Sequence, residues 1–417
     1  MRSVFVAGGV HTQFIGKFNP DYIWKKHPDY GVRENPDTEG YLDTIAADVC
    51  ALFEVDGSIF DRAYVGNFVG ELFDNQGHLG AMVAGSMPGL SGKPIARLEG
   101  ACASGGLAMA AGVDAIRAGA DLVYVVGVEV QTTYNAVVGA DFLARASHYK
   151  RQRDLDPFTF PALFAQRIKK VVSETETTLD DLALASVKAY GNANLNPLAH
   201  MRAASMPFEK AREASSSNPN FLSNPDLNPW LRISDCSQVS DGASALVLAS
   251  ADGLAKLGRH REDVIEVLAC VVAAAPIQED ASPLALSNVA HAAQKAYGLA
   301  EVSASDVDIA EVHDCFTVAE ILSYEALGFA QPGQGAHLLR QGETQIGGSL
   351  PINTGGGLVG FGHPVGATGV KQAVEIWRQS KGLCGGYQVP SIPSVGVTAN
   401  MGGDDRTAVV SVYRNCT

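Results

Sequence analysis

The chain has 417 residues, of which 46% are hydrophobic and 18% are charged, and 44 of them are glycine. This size and composition indicate a globular protein with a large core, many tight turns and room for two or more domains. The formal net charge of −14 argues against a nucleic-acid partner held by electrostatic attraction. An anionic ligand therefore requires a local cluster of basic residues.

The seven cysteines stand at irregular spacings without a Cys-x-x-Cys pair, so we predict neither a disulfide framework nor a structural metal site. The N-terminal segment lacks the apolar region of a signal peptide, and no apolar run is long enough to span a membrane. We therefore expect a protein of a reducing, cytoplasmic compartment that has no membrane partner.

The first part of the chain alternates short apolar strands with helices. Residues 3–9, 62–67 and 122–129 are β-branched runs bounded by Gly or Asp, which is typical of buried strands. Residues 44–54 and 78–85 have helical spacing. This α/β alternation predicts a largely parallel sheet with helices on both faces.

The alternation is interrupted between residues 131 and 235. This stretch contains two amphipathic helices, the second opening at Thr178, and a loop rich in Ser, Asn and Pro. A strand at 240–250 restores the alternation, which continues to the C-terminus. We therefore predict three parts, namely an N-terminal half (1–130 and 236–258), an inserted loop domain (131–235) and a C-terminal half (259–417).

The two predicted halves contain similar strings. A Gly-rich turn precedes a helix at 99–116 and again at 353–376, and Gly and Asp precede a terminal strand at 240–250 and at 402–413. These pairs of similar strings predict two similar α/β halves. Chance similarity of Gly-rich turns is the alternative.

Cys102 stands just before a helix that is predicted to begin near Ala103. The unpaired N–H groups and the dipole at a helix N-terminus favour a thiolate. The helix is rich in Ala and Gly and has little polar surface before Asp114, so it is predicted to be buried and to hold Cys102 rigidly. The alternative is an inert cysteine packed in the core.

His313 and Cys315 follow a predicted strand at 307–312. Their spacing of two residues places both side chains on the same face of an extended chain. The carboxyl end of a strand is where sites collect in α/β folds. A chance His-x-Cys sequence is the alternative.

His363 lies in a Gly-rich stretch, residues 355–369, and precedes Pro364, which disfavours the α conformation at His363. Such a loop lets backbone and imidazole approach a ligand closely. A surface turn is the alternative interpretation.

Two thiols and two imidazoles together fit acyl transfer through sulfur. That chemistry needs a thiolate that accepts the acyl group, a base beside it, and donors for an enolate or oxyanion. A metal site built from the same side chains is the competing use, but their spacing matches no zinc motif.

At these motifs the sequence resembles the thiolase superfamily, and in particular its sterol-carrier-protein-2 type branch. "GACASGG" (100–106) is similar to the nucleophile motif, and "GHPVGATG" (362–369) to the histidine motif. "HDCF" (313–316) resembles the signature that this branch has in place of Asn-Glu-Ala-Phe. The strings at 184–202 and 240–248 are also similar, and the resemblance covers essentially the whole chain.

The resemblance implies a thiolase-like five-layered αβαβα core of two similar halves with an inserted loop domain, in a homodimer or a tetramer built from dimers. It implies a thiolase-type acyltransferase of lipid and fatty-acid metabolism. The reaction is the reversible thiolytic cleavage and Claisen condensation of 3-ketoacyl-CoA. Coenzyme A and acyl-CoA are then substrates, and we expect no permanently bound cofactor.

The resemblance also assigns roles to residues. Cys102 becomes the acylated nucleophile, and His363 deprotonates it and helps to bind the thioester oxygen. His313 donates to the enolate oxyanion, while Cys315 moves the α-proton. The N–H groups of Cys102 and Gly402 form a second oxyanion hole around the acyl-enzyme carbonyl.

One position departs from the common thiolase pattern. Many thiolases have a catalytic Cys in a late Cys-x-Gly motif, where this chain has Asn400 in "TANMGGDD". In the sterol-carrier-protein-2 type branch the acid/base cysteine is the one in His-Asp-Cys-Phe. Cys315 therefore takes over the missing function.

The phosphates of coenzyme A need local cations in an acidic protein. The first candidates are Lys150, Arg151 and Arg153 in "HYKRQR", and Ser237 matches a family position that touches the coenzyme A arm. The next candidates are Arg167, Lys169 and Lys170. A solvated basic surface is the alternative interpretation.

Two other functions stay open at this point. The first is a related acyltransferase or C–C lyase that works with a small accessory protein. The second is a non-catalytic acyl-CoA-binding or scaffold subunit that keeps the fold. The intact set of Cys102, His313, Cys315 and His363 argues against this second alternative.

Overall fold

A computed structural model describes residues 2–417, and its core is a nine-stranded sheet. The strands are β1 (Phe5–His11), β2 (Arg62–Gly66), β3 (Ile95–Leu98), β4 (Leu122–Glu129), β5 (Gly242–Ala249), β6 (Ile265–Ala274), β7 (Ile309–Val312), β8 (Val395–Gly402) and β9 (Thr407–Asn415). The predicted β4 is confirmed at both ends, because its β-branched run is bounded by Asp121 and by the polar residues that follow Val130.

Helices surround this sheet and fill the inserted region. They are α1 (Thr38–Phe53), α2 (Gly70–Phe73), α3 (Leu79–Ser86), α4 (Ser104–Arg117), α5 (Ala136–Leu143), α6 (Tyr149–Gln152), α7 (Thr159–Glu174), α8 (Leu179–Leu195), α9 (Phe208–Arg212), α10 (Ala251–Lys256), α11 (Ser287–Ala300), α12 (Thr317–Ala326), α13 (Gly335–Arg340) and α14 (Thr368–Ser380). The predicted start of α8 is confirmed by a capping box, in which Thr178 and Asp181 satisfy each other's backbone N–H groups.

The strand order is β3-β2-β4-β5-β1-β6-β9-β8-β7. Among residues 2–417, three strand pairings are parallel and five are antiparallel, so the prediction of a largely parallel sheet is wrong. The physical reason lies in β5 and β9. A short turn returns β9 antiparallel along β8, and β5 runs antiparallel to both β4 and β1.

The second half of the sheet repeats the first. The order β2-β4-β5-β1 corresponds to β7-β8-β9-β6, with one parallel pairing followed by two antiparallel pairings in each set. The first strand of each half also carries a register shift, between Val6 and Gly8 and between Val267 and Ala269. The predicted pair of similar halves is therefore confirmed, with β3 as an extra edge strand of the first half.

Five layers follow from this duplication. Helices α4 and α14 pack against each other between the two sets of strands, α1 and α3 cover the outer face of the first set, and α11 covers that of the second. The strands alternate accordingly, with Val123 and Val125 facing the central helices while Tyr124 and Val126 face α1. Each central helix follows one of the motifs: α4 begins two residues after Cys102, and α14 begins five residues after His363.

Residues 131–235 contain helices α5 to α9 and the loops between them, in agreement with the predicted insertion. The two amphipathic helices are confirmed as α7 and α8, whereas the short edge strand β3 was not predicted because its four residues carry little pattern. The boundaries of the three parts stay predictions. Among residues 2–417, none of the helices combines the length and apolar composition that a membrane crossing requires.

Candidate active site

Cys102 lies in a tight turn between β3 and α4. Ala103 is the N-cap of α4, so the helix begins one residue after the predicted start and Cys102 stands one residue ahead of the N-cap. Ala101 has a positive φ of 53°, an uncommon conformation for a residue with a Cβ. Ser104 stabilises this turn, because its hydroxyl donates to the Ala101 carbonyl at 2.6 Å and accepts from the Gly100 N–H at 3.1 Å.

His313 and Cys315 lie in the connection from β7 to α12. The residue between them, Asp314, is fully buried and accepts hydrogen bonds from the N–H groups of Leu358 (2.7 Å) and Val359 (3.3 Å). Asp314 therefore ties this connection to the turn that leads to His363.

His363 is held at its backbone and at its ring. Its N–H donates to the Ser240 hydroxyl at 3.1 Å, and its carbonyl accepts from the Gln131 amide at 2.8 Å. Its Nδ1 lies 2.6 Å from the Thr368 hydroxyl. Gly362 precedes it with a φ of 118°, which only glycine adopts readily, so the turn places the imidazole without strain.

The fold brings three of the predicted side chains together. Cys102, His313 and His363 each offer one atom to a group whose members lie within 4.8 Å of one another, and the two imidazole rings stand edge to face with centroids 5.1 Å apart. All three are buried, and neither His Nε2 has a hydrogen-bond partner among residues 2–417. A thiol with an imidazole nitrogen beside it is the pair of nucleophile and base that covalent acyl transfer uses.

Both thiols of the site are neutral at rest. Burial raises the pKa of Cys102 to about 12, and the Gly403 N–H acts in the opposite direction. Burial also raises the pKa of Cys315 well above its usual value, with the nearby Cys102 adding to the effect. The expectation of a thiolate at the helix N-terminus is therefore corrected. Burial raises the pKa of the thiol by more than the helix dipole lowers it, so Cys102 keeps its proton until a base takes it.

Both imidazoles are also neutral. Burial lowers the pKa of His363 to about 3. The pKa of His313 is well below its usual value, mainly because the ring is buried and to a smaller extent because His363 lies beside it. A neutral imidazole carries one proton on one of its two nitrogens. Each ring is therefore either a base or a donor at Nε2.

Gly402 lies against the nucleophile turn, where a Cβ on it would stand 3.0 Å from the Ala103 nitrogen. The backbone N–H that acts on the Cys102 thiol, however, is that of the next residue, Gly403. The end of β8 therefore lies beside the nucleophile turn, and the role of the Gly402 N–H stays a prediction.

Comparison with known proteins decides the family. A family model described as "Thiolase C-terminal domain-like" matches residues 271–415. The acetyl-CoA acetyltransferase of Methanothermobacter thermautotrophicus is 36% identical over 363 residues, covering 86% of this chain and 90% of that protein. The chain belongs to the thiolase superfamily.

The resemblance to the sterol-carrier-protein-2 type branch is also confirmed. Sterol carrier protein 2 of Oryctolagus cuniculus is 31% identical over 344 residues, which cover 78% of this thiolase and 59% of that protein. This thiolase is similar to an acetyl-CoA acetyltransferase over nearly its whole length, so the expectation of an enzyme of the acyltransferase class is confirmed at that level.

Solved structures support the fold. The "Ltp2-ChsH2(DUF35) aldolase" matches with a TM-score of 0.77 at 18% identity, covering 99% of this thiolase and 98% of that chain. Human mitochondrial 3-ketoacyl-CoA thiolase matches with a TM-score of 0.71 at 16% identity, covering 100% and 99%. The expected thiolase-like α/β fold is thus confirmed.

The predicted phosphate-binding cations lie on and after α6, at the surface. Arg151 contacts the Gln278 carbonyl and lies 3.6 Å from Asp280, and Arg153 lies 3.6 Å from Asp154 and over the Tyr149 ring. Lys150 is exposed and forms no ion pair among residues 2–417 of this thiolase. Lys150 is therefore the side chain of the three that is most available to a phosphate.

Arg167, a second-choice candidate, is not available to a phosphate. It is 1% exposed, donates to Asp404 at 2.5 Å and contacts the Ser282 carbonyl. Its charge is paired with Asp404 inside the protein. Ser237, in contrast, lies beside the site, since its N–H donates to the Cys315 carbonyl at 2.9 Å.

Sequence reasoning missed the side chains that orient the two imidazoles. Thr368 lies five residues after His363 in the histidine motif and contacts its ring. The spacing of the two residues in the sequence does not by itself indicate this contact. Asn400 was noticed only as a departure from a family pattern, and the structure places its amide 3.1 Å from the Nδ1 of His313. Only the fold brings these two residues together, because they are 87 positions apart.

Proposed function

We propose that this thiolase cleaves and forms 3-ketoacyl-CoA through an acyl group carried on Cys102. The observation that carries the proposal is the buried group of one thiol and two neutral imidazoles whose atoms lie within 4.8 Å of one another. The Nε2 of each ring has no hydrogen-bond partner in the part of the chain that the structure describes. Family membership supports the reaction class, and the geometry supports the roles given to each residue.

The first step uses His363 as the base. The Thr368 hydroxyl can donate its single proton to the Pro364 carbonyl at 3.2 Å, and it then accepts from His363 Nδ1–H at 2.6 Å. The lone pair of His363 Nε2 is thereby left free to take the Cys102 proton. The thiolate attacks the 3-keto carbon, which becomes bonded to Sγ.

The second step breaks the C2–C3 bond. Its electron pair moves into the enolate of the departing acetyl-CoA, whose oxygen accepts a hydrogen bond from His313 Nε2–H. Cys315 gives its proton to C2, which completes acetyl-CoA. Burial keeps Cys315 as the protonated thiol by raising its pKa, and that is the form this step needs.

The third step releases the shortened acyl group. A coenzyme A thiol gives its proton to the Cys315 thiolate and attacks the acyl carbonyl, and Cys102 leaves and recovers its proton from His363. The N–H groups of Cys102 and Gly402 are proposed to bind the carbonyl oxygen. The contact of Gly402 with the nucleophile turn supports that placement.

The test is thiolytic cleavage of acetoacetyl-CoA by the purified protein. Wild type should consume the substrate only when coenzyme A is present, and Cys102→Ala should lower the rate by about 10⁴-fold or more. Cys384→Ala is the matched control, because this buried free cysteine lies four residues beyond the end of α14 and outside the group of Cys102, His313 and His363. Absence of coenzyme A-dependent cleavage by wild type would contradict the proposal.

A second candidate function has one observation in its favour. The solved "Ltp2-ChsH2(DUF35) aldolase" covers 99% of this chain, and its name includes a DUF35 component beside Ltp2. The alternative is a thiolase-like acyltransferase or C–C lyase that acts with a small accessory protein. It predicts that wild type alone is inactive and gains activity when a DUF35-type protein is added.

Three finer properties belong to the same proposal. We expect a homodimer or tetramer, a cytoplasmic location, and binding of the coenzyme A phosphates by Lys150 with help from Arg151 and Arg153. The free state of all seven cysteines fits a reducing compartment. Lys150→Ala should raise the KM for coenzyme A and leave kcat unchanged, whereas an unchanged KM would remove Lys150 from the binding site.

A further inference from the structure

The side-chain amide of Asn400 is fixed in one orientation. Its Oδ1 accepts from the Gly106 N–H at 3.1 Å, and its Nδ2 donates to the Cys102 carbonyl at 3.1 Å. Rotating the amide by half a turn would set an oxygen against a carbonyl and an N–H against an N–H. Asn400 is 2% exposed, so no solvent compensates that arrangement.

Close packing also holds the amide in place. Gly106 and Gly369 approach it from the two central helices, and a Cβ on Gly106 would lie 2.6 Å from Asn400 Oδ1. Any side chain at either position would displace the amide. Both the polar and the steric surroundings therefore specify which end faces His313.

The end that faces His313 is the nitrogen. Asn400 Nδ2 lies 3.1 Å from His313 Nδ1, and an amide nitrogen is a donor only. His313 Nδ1 must accept, so the single proton of the neutral ring is on Nε2. We propose that Asn400 fixes His313 as the Nε2–H tautomer, which makes this ring a hydrogen-bond donor and prevents it from binding a metal ion.

This assignment explains why the group of Cys102, His313 and His363 is suited to acyl transfer although its atoms lie close enough together in space to hold a metal ion. A thiolate and two imidazoles within 4.8 Å are an ordinary ligand set for Zn²⁺. A ligating histidine, however, normally donates its other N–H to a carboxylate or a carbonyl. Here His313 Nδ1 faces the N–H of Asn400. If Nε2 bound a metal ion, the ring proton would have to be on Nδ1, where it would point at the Asn400 N–H.

Asn400 is therefore a positioning residue with two effects. It keeps a proton on His313 Nε2, which can then donate to a developing oxyanion. Because that nitrogen is protonated, it has no lone pair with which to bind a zinc ion. The oxyanion part of this inference rests on the proposed function, whereas the placement of the proton does not. The two can fail separately in an experiment.

The decisive measurement is the ¹⁵N NMR spectrum of the imidazoles in wild type labelled at histidine. The His313 signals, assigned by their loss in His313→Gln, should show a protonated Nε2 and an unprotonated Nδ1 near neutral pH. In Asn400→Asp the carboxylate accepts from Nδ1, so the pattern should reverse. A wild-type spectrum with the proton on Nδ1 would overturn the inference without any variant.

Zinc binding gives an independent readout. Asn400→Asp recreates the carboxylate–histidine–metal arrangement, and its affinity for Zn²⁺, measured by competition with a chromophoric chelator, should exceed that of wild type by about 10- to 100-fold. The double variant Asn400→Asp/His313→Gln should lose this gain. Equal affinity of wild type and Asn400→Asp would overturn the inference. If wild type has the Nε2 proton but lacks thiolysis, the proposed function fails and the tautomer assignment stands.

Discussion

The segment around His313 and the segment around His363 bring the same kind of side chain to the Cys102 thiol but engage its Nδ1 in different ways. Burial lowers the pKa of both rings, so both are neutral, and the Nδ1 of each lies within hydrogen-bond distance of a side chain. Neither Nε2 has a hydrogen-bond partner within residues 2–417. They differ in the group at Nδ1. An amide N–H at His313 places the proton on Nε2, whereas the Thr368 hydroxyl at His363 can accept and leaves the Nε2 lone pair free.

This difference teaches that residue type alone does not assign the role of a catalytic histidine. The partner on the far nitrogen decides whether the ring is a donor or a base. Those partners, Asn400 and Thr368, are held in turn by backbone groups. The most informative changes are therefore those that act on one ring and leave the other intact.

The largest effect is expected from removing the base. His363→Ala should lower the rate of Cys102 acylation and of thiolysis by about 10²- to 10⁴-fold, because it removes the ring whose Nε2 lone pair is proposed to take the thiol proton. His313→Ala should retain acylation and lose mainly the steps that pass through the enolate. Equal losses of acylation in both variants, measured by rapid-quench mass spectrometry, would contradict the division of roles. His337→Ala, at the surface, serves as the control.

A smaller and more selective effect is expected at Cys315. Cys315→Ala should slow the exchange of the α-proton of acetyl-CoA with solvent deuterium by about 10²- to 10³-fold and leave acylation at Cys102 nearly unchanged. The physical reason is that only the enolate steps need this thiol. If proton exchange survives in this variant, the acid/base role is misassigned.

Thr368→Val tests the group that engages Nδ1 of His363. The variant keeps the shape of a fully buried side chain but removes the acceptor for Nδ1–H, so the ring is free to carry its proton on Nε2. We expect kcat to fall by about 10- to 100-fold. Thr368→Ser, which keeps the hydroxyl, should recover most of the activity, and equal activity of the Val and Ser variants would remove Thr368 from the argument.

The sequence predicted the parts of this molecule that have local signals. The run 122–129 is confirmed as a strand, and Thr178 is confirmed as the cap of α8, because β-branched runs and capping residues act on their own neighbours. The motifs holding Cys102, His313 and His363 were also found. Their clustering is a property of the fold, since the three residues come from separate turns.

The protonation states and orienting partners could not be obtained in the same way. The helix N-terminus predicts a thiolate at Cys102, yet burial reverses that preference in the free protein. The pairing of Asn400 with His313 depends on the packing of α4 against α14 and on the end of β8. No local pattern in the sequence reports either fact.

The smallest expected effect is on the pH dependence of alkylation. Because burial raises the pKa of Cys102 to about 12, its thiolate is a minor species from pH 6 to about 9, and its fraction rises about tenfold per pH unit. The rate of Cys102 alkylation by iodoacetamide, followed on its own peptide, should rise through this range without a plateau. A plateau beginning below about pH 7 would instead show a preformed thiolate–imidazolium pair.

The most direct test of the central claim is the intact mass of the protein after mixing with acetoacetyl-CoA in the absence of free coenzyme A. Wild type should gain one acetyl group, located on the peptide that contains Cys102, and addition of coenzyme A should remove it. His363→Ala should gain it far more slowly. No gain in mass, or an acetyl group on Cys315 in place of Cys102, would contradict the account.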